Sequence, residues 1–224
     1  MATTIEPVLF GGTVDLPIQR LESFNPVLLS EFSNRAAEVL LIPPTPEQFR
    51  LRIGDALFWY ELLCSFFGDN VQVRKTADRI SLTFKNGRLW GDIEFIGSRT
   101  ARFLEAFASG PEQVVILSAF CHGNCSSQRD RDAFLAQFAV KESVVGPGVT
   151  GRVKVGDWPE LIKINAEASF VLPGGLFIGW ETSYTNPKEK DAAQDKQKKL
   201  SERIGSSFGL AAEVFGLKVE FPVH

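Results

Sequence analysis

Arg79-Ile80-Ser81-Leu82-Thr83-Phe84-Lys85 decides the fold class, because Ile80, Leu82 and Phe84 fall on one side of an extended chain and Arg79, Ser81, Thr83 and Lys85 on the other. A second stretch, Leu161 to Leu172, sets Ile162, Ile164, Ala166, Ala168 and Phe170 against Lys163, Asn165, Glu167 and Ser169. Such period-two patterning belongs to a sheet with one buried and one wet face, which favours antiparallel pairing. Further strands are expected at Pro7 to Leu16, Gln113 to Phe120, Gly91 to Ile96 and Leu217 to Phe221. Ala56 to Phe67 fits either a strand or a buried helix, and its aromatic content favours the strand. Gly68-Asp69-Asn70, Asn86-Gly87 and Gly174-Gly175 read as hairpin turns or strand exchanges.

Helices fall between these strands. Asn25-Pro26 supplies an N-cap and a first-turn proline for a helix to Leu40, with Leu28, Leu29, Phe32, Ala36, Val39 and Leu40 at helical spacing. Arg129 to Ala139, Ser98 to Ala108 and Lys188 to Phe208 read as three more, the last entered through Asn186-Pro187. Val145 to Gly151 reads as a loop.

The order repeats. Leu51-Arg52-Ile53-Gly54-Asp55 is echoed by Arg152-Val153-Lys154-Val155-Gly156-Asp157, the two Gly-Asp pairs lying 156 − 54 = 102 residues apart. Residues 1–110 and 111–224 each read strand, helix, antiparallel strands, helix, which predicts two similar α+β halves sharing one long antiparallel sheet with helices on one face. This arrangement resembles the duplicated saddle of TATA-binding-like folds and the helix-grip folds. The likeness is one of element order, with no family motif, and it transfers no functional residue.

With 224 residues the chain buries roughly 70% of its unfolded surface on folding. At 44% hydrophobic with 19 phenylalanines it is neither disordered nor collagenous, and a net charge of −3 gives no global footprint for nucleic acid or anionic membrane. Met1 to Phe10 has neither the basic residues nor the apolar run of a signal peptide, and three cysteines are too few for a secreted disulfide framework. The expectation is a cytoplasmic protein, without membrane attachment or cofactor.

Gly146-Pro147-Gly148-Val149-Thr150-Gly151 matches G-x-G-x-x-G, but a strand-like run follows where a phosphate site needs a helix N-terminus. Cys121-His122-Gly123-Asn124-Cys125 offers three metal-ligand types at CxxxC spacing without a second cysteine pair, so it reads as a strand end with a buried cysteine and a Gly-Asn turn. Asp92 and Glu94, two apart, read as the wet side of a strand. No metalloprotease, nucleophile-elbow or Walker motif occurs, and there are two histidines.

The chemistry therefore points to a non-catalytic binding or protein-interaction module, its partner a protein, a peptide or a small apolar ligand. The candidate surface is the wet sheet face, with Arg74, Arg79, Lys85, Trp90, Arg152, Lys154 and Lys163. The candidate pocket is apolar, lined by Phe58, Tyr60 and Trp180. The alternatives are an enzyme of hydrolase or transferase type using carboxylates or Cys121, and nucleic-acid binding through the basic residues of the same face, which the acidic balance disfavours.

Overall fold

The alternating stretches do form strands. A computed structural model describes residues 3–55, 58–88, 90–108, 113–138, 148–154, 161–185 and 215–220, and all ten strands among them belong to one sheet. In chain order the elements are β1 (Thr3–Pro17), α1 (Pro26–Leu40), β2 (Phe49–Ile53), β3 (Tyr60–Phe66), β4 (Val71–Thr76), β5 (Arg79–Gly87) and α2 (Trp90–Phe107). They continue with β6 (Val114–Cys125), α3 (Gln128–Ala136), β7 (Gly148–Val153), β8 (Ile162–Ala168), β9 (Gly175–Thr185) and β10 (Leu217–Val219). The sheet order is β2-β3-β4-β5-β1-β6-β9-β8-β7, antiparallel throughout, with β10 added in parallel to the first residues of β1. No described helix is long and apolar enough to cross a membrane.

Two central strands, β1 and β6, run antiparallel side by side. Each is followed by a helix and then by a meander whose last strand returns to pair with it, β2 to β5 for β1 and β7 to β9 for β6. The helix caps Asn25 and Ser127 lie 127 − 25 = 102 positions apart. Strands β3 and β8 begin and end at that same separation, 162 − 60 and 168 − 66. Gly156-Asp157, the second half of the sequence echo, and the helix expected at Lys188 to Phe208 lie outside the described residues.

Strand register sorts the side chains into two faces. Phe49, Cys64, Val73, Leu82, Val14 and Leu117 form one row across six strands, and Phe10, Cys121, Ile178 and Ala166 another. Apart from the half-buried Phe49, these apolar rows are buried under the helices. Helix α1 turns Phe32, Ala36, Val39 and Leu40 inward at i, i+4, i+7 and i+8, and α2 does the same with Ile96, Phe103, Leu104 and Phe107. The two helices are tied together by Arg35, whose guanidinium donates to the Ala106 carbonyl at 3.2 Å, and by the Phe32 and Phe107 rings 6.1 Å apart. Helix α1 starts where its sequence says: the Asn25 side-chain oxygen accepts from the Val27 and Leu28 amides at 3.0 and 3.1 Å.

The other face carries no described helix. Ser65, Gln72, Thr83, Thr13, Ser118, Glu181, Lys163 and Arg152 cross eight strands in a single polar row. At its centre Gly11 leaves room for the Phe120 ring, which a Cβ there would meet at 2.8 Å.

Five local expectations need correction. Gly91 to Ile96 is the first part of α2 and not a strand, so Trp90, Asp92 and Glu94 leave the sheet face. There Asp92 accepts the Arg88 amide at 2.9 Å in the first turn, where an acidic side chain offsets the helix dipole. Asn86-Gly87 ends β5 and makes no hairpin, and Gly148 to Gly151 is strand β7 rather than loop. Gly123 and Asn124 continue β6 without turning. Phe170 lies beyond the end of β8 and its ring meets His122, on the helix-free face, instead of joining the core.

Candidate functional site

Among the described residues a concavity lies where the β3–β4 turn, the end of β5 and the start of α2 meet. It is a groove of about 320 Å³, lined among others by Phe67, Phe84, Lys85, Asn86, Asp92 and Phe95. Its shape follows from backbone that most residues avoid. Phe67, Gly68 and Asp69 take left-handed conformations in succession, with φ of 53°, 64° and 68°, and Asn86 does so across the gap at 60°. Asparagine and glycine adopt this region readily, whereas a bulky aromatic pays roughly 1–2 kcal/mol. The reversal is pinned by the Asn70 amide donating to the Phe67 carbonyl at 3.3 Å and by the Lys85 amide donating to the Asn70 carbonyl at 2.8 Å. The Asn86 and Asn70 side-chain amides bond each other at 2.8 Å.

This turn holds Phe67 51% exposed, with its ring edge-on to Phe95 at 5.8 Å, and Phe84 meets the same Phe95 ring at 6.3 Å. Behind them the Arg99 guanidinium lies 4.9 Å from the Phe95 centroid. Burial and the nearby Arg102 charge lower the Arg99 pKa, and its Nε has no hydrogen-bond partner among the described residues. At Gly87 a Cβ would meet the Phe10 ring at 2.4 Å, so only glycine lets the strand end close over that ring. The result is an aromatic floor with the Asn70 and Asn86 side-chain amides at its rim. Lys85 alternates with Phe84, and its ammonium donates to Gln72 at 3.1 Å on the helix-free face.

The sequence-selected basic residues do not converge. Arg74 bonds Glu61 at 2.6 Å, Arg79 opens β5 opposite Pro17, and Lys85 lines the groove. Lys163 and Arg152 are paired across β8 and β7, five and six strand spacings, or about 24 and 29 Å, from Arg74. Lys154 is exposed just beyond β7, and Trp90 opens α2. Nor do the three aromatics share a pocket. Phe58 is exposed before β3, and Tyr60 is buried against Phe24 at 5.7 Å with no partner for its hydroxyl among the described residues and its pKa pushed up to about 12 by burial. Trp180 lines a separate void of about 20 Å³ at the sheet centre.

Alternation separates the cysteine cluster as well. Cys121 and Cys125 face the helices and His122 the other side, so no ligand set or nucleophile–base pair forms from them. Burial pushes the Cys121 thiol up to about 12, leaving it neutral at physiological pH. His122 is instead a structural group: its Nδ1 meets the Ser169 hydroxyl at 2.9 Å. That hydroxyl oxygen already accepts from the Val171 and Leu172 amides, so its proton goes to Nδ1 and the ring carries its own on Nε2. Among the described residues no group of three or more histidines, cysteines and carboxylates has the arrangement to hold a metal ion.

Comparison with known proteins leaves the geometry to speak for itself, since no family model and no curated protein matches the chain. Sequence reading picks out Lys85, Asp92 and the Asn86-Gly87 turn singly, and Phe67 only as the end of the aromatic run Ala56 to Phe67, but not Phe95. Three turn-type residues following Phe67 were the available signal that this aromatic ends a strand in an unusual conformation.

Proposed function

We propose that the protein is a non-catalytic binding module whose ligand site is the groove between the β3–β4 turn and α2. The observation that carries this reading is Phe67, a bulky residue kept in a left-handed conformation and half exposed over an aromatic floor. Strain of this kind persists where surrounding structure imposes it, and it clusters at ligand clamps. Groove volume and lining suit a small, largely apolar molecule. The asparagine amides at its rim favour one that carries a hydrogen-bond acceptor such as a carboxylate.

We also read the chain as two copies of one α+β unit, in the arrangement that resembles the TATA-binding-like saddle. In support stand the separation of 102 shared by the helix caps and by β3 and β8, and the return of each meander to its own central strand. The second meander has one strand fewer among the described residues, and the groove belongs to the first.

Equilibrium dialysis against a panel of aryl and alkyl carboxylates, 4-phenylbutyrate among them, tests the site. Binding is expected to fall at least roughly tenfold in Phe67→Asn, and to be unchanged when Arg79→Glu and Lys163→Glu are combined on the sheet face. Equal loss in the sheet-face variant would place the ligand on that face instead.

A further inference from the structure

Strand β2 ends the sheet, and among the described residues nothing pairs with its outer edge. The Gly54 amide donates to the Trp59 carbonyl at 3.0 Å, and alternation along an antiparallel pair then turns the backbone groups of Arg52 and Arg50 toward β3. Those of Ile53, Leu51 and Phe49 point outward. The Phe49 amide is taken by the Pro46 carbonyl, which leaves the Leu51 and Ile53 amides and three carbonyls facing outward. Side chains sharpen the signal: Leu51 and Ile53 are 40% and 58% exposed on the helix side, while Arg50 and Arg52 project on the other. A regular edge strand carrying exposed apolar residues is a template for another strand.

We infer that β2 is a docking edge for an extended segment of another protein in which apolar and acidic residues alternate. The charge pattern chooses the occupant. A second copy of β2, aligned antiparallel with its apolar residues on the helix side, sets arginine opposite arginine in every register, and like charges directly opposed are destabilising. Acidic residues at those positions meet Arg50 and Arg52 instead. Their present partners are weak competitors: Arg52 lies 3.4 Å from Glu61, which Arg74 already holds at 2.6 Å, and Arg50 is 3.9 Å from Asp69. Incoming main chain gains hydrogen bonds from β2, and valine or leucine at alternate positions covers Leu51 and Ile53.

Fluorescence anisotropy on the full chain, with a short labelled peptide alternating valine and glutamate, reads this directly. Binding is expected, weakened at least roughly tenfold when Arg50→Glu and Arg52→Glu are combined, and absent for the valine–lysine counterpart. Leu51→Pro removes an outward amide that the β2–β3 ladder does not use, and should abolish binding. Methylating the peptide amides that face β2 should do the same without altering the protein, so the test survives a variant that fails to fold. No binding at about 1 mM peptide, or binding indifferent to amide methylation, overturns the proposal. So does a dimer of the chain that Leu51→Pro dissolves, because the edge would then belong to a second copy. Phe67→Asn should leave peptide binding intact, which separates this edge from the groove.

Discussion

Phe67 shows how a single residue carries both strain and exposure. Asparagine adopts the left-handed region with little cost, so Phe67→Asn is expected to be no less stable than the parent in urea unfolding. Relief of roughly 1 kcal/mol of backbone strain should offset the lost edge contact with Phe95. A loss well beyond 1 kcal/mol would make Phe67 a structural residue. Asp15 gives a second test on the helix-free face. Burial raises its carboxyl above the ordinary 3.8, against the opposing charges of Arg79 and Arg74. The folded protein then holds that proton more tightly than the unfolded chain, so the contribution to stability is full below pH 3.8 and lost as pH rises through the raised value. Asp15→Asn should therefore have the higher Tm at pH 7, with the difference closing as pH falls below about 4. A variant less stable at pH 7 would mean that the arginines outweigh burial. The sequence shows a turn after Phe67 in Gly68-Asp69-Asn70, but not the left-handed φ of Phe67 itself, which arises in the β3–β4 reversal, nor the half-burial of Asp15, which arises from the strands on either side of β1.

At the level of elements, the sequence was most informative where local chemistry and tertiary packing agree. Asn25-Pro26 begins a helix because the cap is satisfied within four residues of itself. Ser127 caps α3 in the same way, accepting the Asp130 amide at 3.1 Å. Asn25→Ala and Ser127→Ala are each expected to cost about 1 kcal/mol in urea unfolding, and a negligible cost at either would remove the cap from the account of its helix. Gly91 to Ile96 misled because Ile93 and Phe95 alternate with Asp92 and Glu94 as a strand would. The deciding contacts come later in the chain: Phe103, Leu104 and Phe107 are buried at helical spacing from Ile96, and the helix extends back to Trp90. A six-residue window does not reach them. Gly148 to Gly151 misled in the opposite sense, since a glycine-rich run becomes strand once Thr150 and Arg152 pair with Asn165 and Lys163.

For the whole molecule, alternation in β5 and β8 was enough to anticipate a long antiparallel sheet. It did not locate the site, which depends on a turn from one hairpin closing against a helix that follows two strands later. Heteronuclear NMR of the labelled full chain, titrated with 4-phenylbutyrate and the other carboxylates, tests the groove most directly. Amide shifts are expected to begin at Phe67 to Asn70 and Lys85 to Gly87 and to vanish in Phe67→Asn. Shifts centred on Thr13, Ser118 and Lys163 of the helix-free face, or no saturable shift from any member of the panel, would contradict the assignment of the groove as the ligand site.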